Sequence, residues 1–153
     1  PVPAVPPRSF GVCMRMMVQQ MPLMKDVLRA MNIPIFECEG WEADDILGTA
    51  GRICAASDWD CVIVTGDRDS LQLIDEHVTV KLVSSKMSQT IAVNYDPARF
   101  REEYGFDPIH LIDLKALMGD KSDNIPGVGG IGEQTAKNLL TKVSSHFSMV
   151  LSS

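Results

Sequence analysis

The sequence predicts an α/β domain with a parallel sheet, followed by a module made of helices alone. Helix-like and strand-like segments alternate over residues 21–95, which is the pattern of a βαβ unit. The run CVIVTGD in that region is mostly apolar and β-branched, as in strands that a parallel sheet buries on both faces. Residues 96–153 then repeat helix-start and helix-stop signals without another strand. We therefore predict two domains, an α/β sheet domain over residues 21–95 and a helical module over residues 96–153.

The first twenty residues fit neither domain. They contain four prolines and no acidic residue, show little periodicity and begin at Pro1 rather than at a methionine. A signal peptide is excluded, because no basic start is followed by an apolar run and a small-residue cleavage site. We expect residues 1–20 to be a ragged or non-native segment and the chain to be a fragment of a longer protein.

The elements expected in the sheet domain follow in order. Met21–Asn32 carries apolar residues at helical spacing, and the short apolar run IPIFEC after it is expected to form a strand. The segment WEADDILGTAGRICAAS places its apolar residues on one helical face, which predicts a second helix. The apolar strand over Cys61–Val64 comes next. Two alternating runs, VTVKLV and TIAVNY, are joined by SSKMSQ and are expected to be strands at the edge of the sheet.

Three helices are expected in the second domain. DPARFREEYG begins with Asp96 as N-cap and ends at Gly105, and DPIHLIDLKALMG repeats the arrangement between Asp107 and Gly119. Both segments place proline at the first helical position, where its missing amide does no harm. A third helix, GEQTAKNLLTKV, starts beyond a glycine-rich turn.

The composition excludes a membrane span and a zinc finger. No apolar run approaches the ~20 residues that a membrane helix requires. The cysteines show neither CxxC pairing nor histidines at zinc-finger spacing. We expect them to be reduced, mostly buried thiols of an intracellular protein. They are Cys13, Cys38, Cys54 and Cys61.

Seven of the twenty acidic residues fall into three clusters. EADD opens the second predicted helix, TGDRD follows the buried strand, and GDKSD precedes the glycine-rich turn. Each cluster alone has a simpler explanation, since acids near a helix N-terminus gain about 0.3–1 kcal/mol each and aspartates cap helices and form turns. Three acids within four residues repel one another, however, and ligands of open α/β sheets bind outside the carboxyl ends of the strands. The members are Glu42, Asp44, Asp45, Asp67, Asp69, Asp120 and Asp123.

The three clusters together favour a site for divalent cations. Helical spacing places Glu42 and Asp45 about 60° apart, flanking the apolar face, so we expect both to point into a shared cleft with Asp44 further around the helix. Ligands that are all carboxylate oxygens suit Mg²⁺ or Mn²⁺ and disfavour zinc. Two such ions ~4 Å apart promote phosphodiester hydrolysis. The net charge of −6 argues against a nucleic-acid partner only if these acids are uncompensated, because the remaining acids nearly balance the 14 basic residues.

The turn IPGVGGIG is expected to contact phosphate through its backbone. Glycine permits positive φ and close approach, so the amides of this turn and of the following helix can face a nucleic-acid backbone. It is not a P-loop, because no Lys-Ser/Thr pair follows Gly132. Lys137 and Lys142 could add cationic contacts, and the alternative is a tight loop that needs glycine for packing. The turn comprises Gly127, Val128, Gly129, Gly130, Ile131 and Gly132.

These segments together resemble a known family. EGWEADDILGTA, VIVTGDRDSLQLI and LKALMGDKSDNIPGVGGIGEQTAKNLL are similar to the 5′-nuclease (5′-3′ exonuclease) domain of bacterial DNA polymerase I, in the flap endonuclease superfamily. The resemblance runs from about Pro22 to Leu140. It implies a PIN-like α/β domain, a helix-three-turn-helix DNA-binding module, and two-metal hydrolysis of DNA with 5′ ends or flaps in replication and repair. It also implies a cytoplasmic, nucleoid-associated bacterial monomer, joined to a polymerase domain and not bound to a membrane.

The resemblance also assigns roles to the residues. By position, the seven clustered acids match the metal-binding acids of the family, with Asp45, Asp67 and Asp69 expected to act in catalysis. The turn from Gly127 to Gly132 matches the loop that holds duplex backbone, together with Lys137. Relatives also bind a potassium ion there through main-chain carbonyls.

The sequence departs from the family at its start. The family begins with a strand that bears a metal-ligand aspartate, followed by a second aspartate and a basic helical arch that threads single-stranded DNA. The first acidic residue here is Asp26, so we expect both early ligands, the arch and the first strand to be missing, with an unpaired sheet edge or an exposed core. The parent is then a nuclease and this fragment alone is feeble or inactive. Two alternatives remain open: a DNA-structure-binding module without chemistry, and a phosphotransferase whose nucleophile lies in TGDRD.

Overall fold

The computed structural model describes the backbone of residues 8–86 and 89–151, and the side chains of residues 18–85 and 89–143. The chain forms two compact units, Pro1–Gly40 and Trp41–Ser153. The first unit contains one long helix, α1 (Arg8–Ala30), with Pro22 inside it.

The helix predicted from Met21 begins at Arg8, so residues 8–20 are helical rather than ragged. All four early prolines precede Arg8, and the segment after them is rich in Met, Arg and Gln, which are good helix formers. The predicted end is confirmed, because Asn32 adopts the left-handed conformation (φ 57°) that commonly stops a helix. Residues 1–7 lie outside the described part of the chain.

The strand predicted at IPIFEC is wrong. The segment is extended but has no strand partner among the described residues of its unit, and Ile33 and Phe36 are exposed. A strand needs a neighbour to satisfy its amides and carbonyls. An ion pair between Lys25 and Glu37 and a hydrogen bond from the Ile33 amide to the Leu28 carbonyl at 2.9 Å connect the segment to α1.

The second unit is built on a three-stranded sheet. Its strands are β1 (Cys61–Thr65), β2 (Val78–Lys86) and β3 (Gln89–Tyr95), in the order β1-β2-β3. The first two are parallel, with Ile63 opposite Val80, whereas β2 and β3 are antiparallel. The sheet is therefore mixed rather than wholly parallel. A short connection such as SSKMSQ forces the antiparallel arrangement, because a parallel crossover needs a dozen or more residues.

Strand β1 is buried on one face only, which corrects the prediction of a strand buried on both faces. Ile63 is 3% exposed and points into the core, while Val62 and Val64 on the other face are 62% and 63% exposed. Among the described residues of this unit, nothing covers that face and β1 has a neighbour on one edge only. The expected combination of an unpaired edge and an exposed apolar face is thus present within the unit.

Helices pack against the sheet and continue along the chain after it, which confirms the predicted fold class. The first of them, α2 (Ala43–Ala56), precedes β1, and a short 3₁₀ helix (Arg68–Leu73) follows it. The helical part contains α3 (Pro97–Tyr104), α4 (Leu111–Met118) and α5 (Glu133–Leu151).

The predicted signals at the ends of α3 are confirmed. Asp96 accepts a hydrogen bond from the Arg99 amide at 2.7 Å, and Gly105 ends the helix with φ 82°.

The change from sheet to helices at residue 96 is not a change of core. Leu71 and Val80 from the sheet region, Phe100 from α3 and Ala136 from α5 are all fully buried in one hydrophobic cluster. Phe100 stacks on Tyr104 with ring centroids 4.3 Å apart. This shared core fixes the helices relative to the end of β1, where the acidic residues lie.

The structure also bears on the membrane span and on the burial of the cysteines. Among the described helices, none has the length and hydropathy needed to cross a membrane. The cysteines are less buried than expected, since Cys38 is exposed and Cys54 and Cys61 are half-buried. The side chain of Cys13 lies outside the described residues.

Candidate metal centre

Two adjoining cavities open where β1 ends. One, of about 330 Å³, is lined by five of the seven predicted acids: Glu42, Asp44, Asp67, Asp69 and Asp123. The other, of about 290 Å³, shares three of them and adds an apolar wall from α4; its lining includes Asp44, Asp69, Asp123, Lys115, Leu111 and Ile112. The fold therefore gathers acids that lie up to eighty residues apart in the sequence.

The first acidic cluster lies at the start of α2. Asp44 lines the cavities and Asp45 does not, which is the opposite of the prediction. The Asp45 carboxylate accepts a hydrogen bond from the Glu42 amide at 3.0 Å, so it caps the helix. Asp45 is exposed and lines neither cavity, whereas Asp44 is half-buried and lines both. Helical spacing alone suggested the reverse, because it ignored that the third residue of a helix commonly turns back to the N-cap amide.

The second cluster follows β1. Asp67 caps the 3₁₀ helix by accepting a hydrogen bond from the Asp69 amide at 2.9 Å, and its own amide donates to Thr65 Oγ1 at 3.0 Å. The capping explanation is therefore correct for Asp67, and one of its carboxylate oxygens remains available to the cavity. Asp69 is half-buried and faces the third cluster.

The third cluster is held by a tight turn. The backbones of Asp120 and Ile125 exchange two hydrogen bonds, at 2.9 and 2.8 Å. Asp120 also accepts from the Ser122 amide at 2.8 Å and from the Ser122 hydroxyl. Asn124 completes the turn with φ 58°. Turn chemistry thus positions Asp120 and Asp123 without using all their oxygens.

Asp69, Asp120 and Asp123 converge most closely. One carboxylate oxygen from each lies within 4.8 Å of the other two. Three carboxylates at this spacing fit a hard divalent cation such as Mg²⁺ or Mn²⁺, because they offer oxygen ligands only. The donor set therefore fits a divalent cation that prefers oxygen ligands.

Lys115, on α4, is the functional candidate that the sequence did not reveal. Its Nζ bonds Asp69, and lies 2.8 Å from Asp120 and 3.3 Å from Asp123. Burial alone would lower the pKa of Lys115, but hydrogen bonds to Asp120 and Asp69 outweigh burial and raise it. The hydrogen bond from Lys115, with further bonds from Ser122, holds the pKa of Asp120 well below its usual range. The available signal was a lone basic residue in the apolar helix LIDLKALM.

The glycine-rich turn contains glycines of three kinds, and Gly130 combines a positive φ of 82° with open space around a built Cβ. Gly127 has φ 65°, and a Cβ built on it would lie 2.4 Å from the Gly119 amide nitrogen, so close packing requires glycine there. A Cβ on Gly129 or Gly132 would meet nothing within 4 Å, and neither residue has a positive φ. The packing explanation is thus correct for Gly127, while nothing in the described chain requires glycine at Gly129 or Gly132.

Lys137 lies on α5, just beyond this turn. Its Nζ is 2.8 Å from Glu133 Oε1 and 4.7 Å from the centre of the Tyr104 ring. The side chain is therefore held between Glu133 on α5 and the ring of Tyr104. Val128 in the turn is half exposed, and Ile131 packs against the core.

Two family models match consecutive parts of the chain. Residues 13–105 match the 5′-3′ exonuclease, N-terminal resolvase-like domain, and residues 106–150 match the 5′-3′ exonuclease, C-terminal SAM fold. The boundary between the models falls after Gly105, the residue that ends α3.

The chain is also similar to curated proteins. It is 48% identical over 126 residues to the DNA polymerase I of Caldicellulosiruptor bescii, which covers 82% of this chain and 15% of that protein. It is 48% identical over 122 residues to the DNA polymerase I of Bacillus caldotenax, covering 80% of this chain and 14% of that protein. The chain thus spans about one seventh of the length of these relatives.

Solved structures of a bacteriophage T5 nuclease share the fold. A T5 5′-exonuclease with bound divalent metal ions (zinc) has a TM-score of 0.67 and 26% identity, covering 84% of this chain and 46% of that one. The T5 D15 flap endonuclease in a complex with DNA and metal ions has a TM-score of 0.61 and 26% identity, covering 75% and 40%. With both family models matched in order, the chain belongs to the 5′-3′ exonuclease family.

Proposed function

We propose that this chain carries the metal site of a 5′-3′ exonuclease and 5′-flap endonuclease that hydrolyses DNA phosphodiesters with two divalent ions during replication and repair. The observation that supports the proposal most strongly is the single cavity lined by five acids from three separate segments. A structural role explains each segment alone, but capping and turn formation do not require the free carboxylate oxygens to face one another.

The residues divide into two groups around the cavity. Asp69, Asp120 and Asp123 would hold one Mg²⁺ or Mn²⁺, because their oxygens already converge. The second ion would be held on the side lined by Glu42, Asp44 and Asp67. When bound, such ions activate a water and stabilise the leaving oxygen. Asp45 would act indirectly, by capping α2 and orienting Glu42.

The acids also determine when DNA can approach. A cleft with this many carboxylates repels a phosphodiester until cations neutralise it, since like charges in a partly enclosed site are poorly screened. Binding of the scissile phosphate is therefore expected to require the divalent ions. Many proteins bind nucleic acid through a strongly basic surface, but the net charge of this chain is −6, so bound cations would have to supply positive charge.

The glycine-rich turn would hold duplex backbone at a second place. Gly129 and Gly132 leave open space in which a sugar-phosphate backbone could contact the main chain. Lys137 at the start of α5 would add a cation once a phosphate competes with Glu133 for its ammonium. We also propose that main-chain carbonyls of this turn bind a potassium ion.

The extent of the chain affects its activity. The matched region is 15% of the Caldicellulosiruptor bescii relative, and we propose that the parent is a monomer with a polymerase domain in the same polypeptide. The absence of any acid before Asp26 and the face of β1 that no described residue of its own unit covers support the further proposal that this chain alone is weakly active or inactive.

A chimera tests the function. The chain replaces the matching segment of the Caldicellulosiruptor bescii DNA polymerase I, and cleavage of a labelled 5′-flap substrate is measured with Mg²⁺. We expect cleavage by the chimera, its loss by orders of magnitude in Asp69→Asn, and little change in duplex affinity. Asp60→Asn is the matched control, because Asp60 is exposed and lines neither cavity.

The result also separates the alternatives. A chimera that binds the flap but does not cleave it would support the DNA-structure-binding module without chemistry. Loss of cleavage in Asp60→Asn as complete as in Asp69→Asn would contradict the assignment of the site. Vigorous cleavage by the 153-residue chain alone would refute only the proposal about the isolated chain.

A further inference from the structure

The ammonium of Lys115 occupies the position that a cation would take among Asp69, Asp120 and Asp123. It contacts one carboxylate oxygen of each, and the same three residues form the closest acidic group among the described residues. Its side chain is 23% exposed, compared with 32% for Asp69 and 20% for Asp120. Asp123 is exposed (53%), so two half-buried carboxylates and one exposed carboxylate surround one positive charge, which is more than a single surface ion pair.

The cluster is held by rigid elements on each side. Lys115 belongs to α4, whose residues Leu111 and Leu114 are buried in the core. Asp69 is fixed by the 3₁₀ helix after β1, and Asp120 by its two backbone hydrogen bonds to Ile125. Because Asp69 and Asp120 are held in place, their carboxylates, with that of Asp123 beside them, repel one another unless a cation lies between them.

We propose that Lys115 is an internal counter-cation that keeps the three carboxylates assembled before a divalent ion binds, and that the divalent ion displaces its ammonium. The inference rests on the proposed metal-dependent function and assigns a role to a residue that is not itself a ligand. The physical reason is competition, since the same carboxylate oxygens cannot bond an ammonium and a divalent ion at once. Lys115 acts as a positioning residue.

The proposal predicts opposite effects on folding and on metal affinity. Lys115→Met keeps the apolar stem but removes the charge, so the carboxylates repel one another in the metal-free chain, which becomes less stable. The same change removes the competitor, so Mn²⁺ binds more tightly. If Lys115 were a surface residue without a role, its substitution would change neither stability nor metal affinity. If Lys115 helped to hold the metal, its substitution would weaken Mn²⁺ binding.

Calorimetric titration of the 153-residue chain with Mn²⁺ tests the proposal. We expect Lys115→Met to bind at least about tenfold more tightly than the wild type, which corresponds to about 1.4 kcal/mol. Its thermal midpoint should fall without metal and recover when Mn²⁺ is added. Lys81→Met is the matched control, because Lys81 is exposed on β2 and its loss changes the net charge equally. Unchanged or weaker Mn²⁺ binding by Lys115→Met would overturn the proposal.

A measurement on the wild type avoids dependence on how the variant folds. The side-chain ¹⁵N resonance of Lys115 is followed by NMR as Mg²⁺ is added, together with the backbone amides of Asp69 and Asp123. We expect the Lys115 resonance to move toward that of Lys81 as those amides shift. If the amides shift and the Lys115 resonance does not, displacement is wrong while the metal site stands. If neither responds and no variant binds Mn²⁺, the proposed function fails as well.

Discussion

Gly127 and Gly129 lie two residues apart in the same turn but should respond very differently to alanine. At Gly127 the backbone has φ 65°, and a Cβ would lie 2.4 Å from the Gly119 amide nitrogen and 2.6 Å from the Met118 carbonyl carbon. At Gly129 a Cβ would have nothing within 4 Å, and φ is not positive. The pair therefore separates a glycine required by packing from one that leaves space for a ligand.

The magnitudes follow from these contacts. The left-handed conformation costs a non-glycine residue roughly 1–2 kcal/mol, and forcing backbone apart in a packed site costs roughly 1–3 kcal/mol more. Gly127→Ala should therefore lower the free energy of unfolding by about 2–5 kcal/mol, a large part of the total stability of a domain. Gly129→Ala should leave stability unchanged or raise it by about 0.4–1 kcal/mol, because it restricts the unfolded chain.

Two assays read the outcome. Urea denaturation followed by circular dichroism gives the free energy of unfolding, and fluorescence anisotropy gives the affinity for a labelled duplex. We expect Gly129→Ala to weaken duplex binding with stability retained, and Gly127→Ala to lose both together. Equal losses of stability would refute the distinction between the two glycines. Unchanged duplex affinity in Gly129→Ala would refute the role proposed for the open part of the turn.

Three further predictions concern stability. Phe100→Ala, at a fully buried position, should cost about 3–5 kcal/mol in urea denaturation, whereas Phe36→Ala, at a position 77% exposed, should cost less than about 0.5 kcal/mol. Asp96→Ala removes the N-cap of α3 and should cost about 1 kcal/mol, measured in the same way. The hydrogen bond from Lys137 lowers the pKa of Glu133, so the ionised Glu133 stabilises the fold above the ordinary glutamate pKa, and this contribution is lost as pH falls below it. Glu133→Gln removes the titrating group, so the free energy of unfolding should fall less between about pH 5 and 3 than in the wild type, by no more than ~0.5 kcal/mol.

Local signals were enough to predict the helical part and the strands of the sheet. Asp96 and Gly105 bound α3 because capping and left-handed glycine depend on neighbouring residues only. The loop before β3 is too short for a parallel crossover, so β3 must run antiparallel to β2. The prediction of a parallel sheet overlooked this requirement. The start of α1 was missed because its helix formers show no apolar periodicity.

The candidate site was predictable as a list of acids but not as an arrangement. Sequence spacing could not show that Asp45 caps α2 while Asp44 faces the cavity, since that depends on which hydrogen bond each side chain makes. The convergence of Asp69 with Asp120 depends on the packing of α4 and is a tertiary property. The role of Lys115 could not be predicted for the same reason. Its partner Asp69 lies 46 residues before it, and Asp120 lies in the turn that follows α4.

Paramagnetic broadening by Mn²⁺ tests the central claim most directly. Substoichiometric Mn²⁺ is added to the ¹⁵N-labelled chain, and the loss of each backbone amide signal is measured by NMR. If the acids form a metal site, broadening should be strongest around Asp44, Asp69 and Asp123. Uniform broadening across the acidic surface, or a maximum away from these three aspartates, would contradict the account.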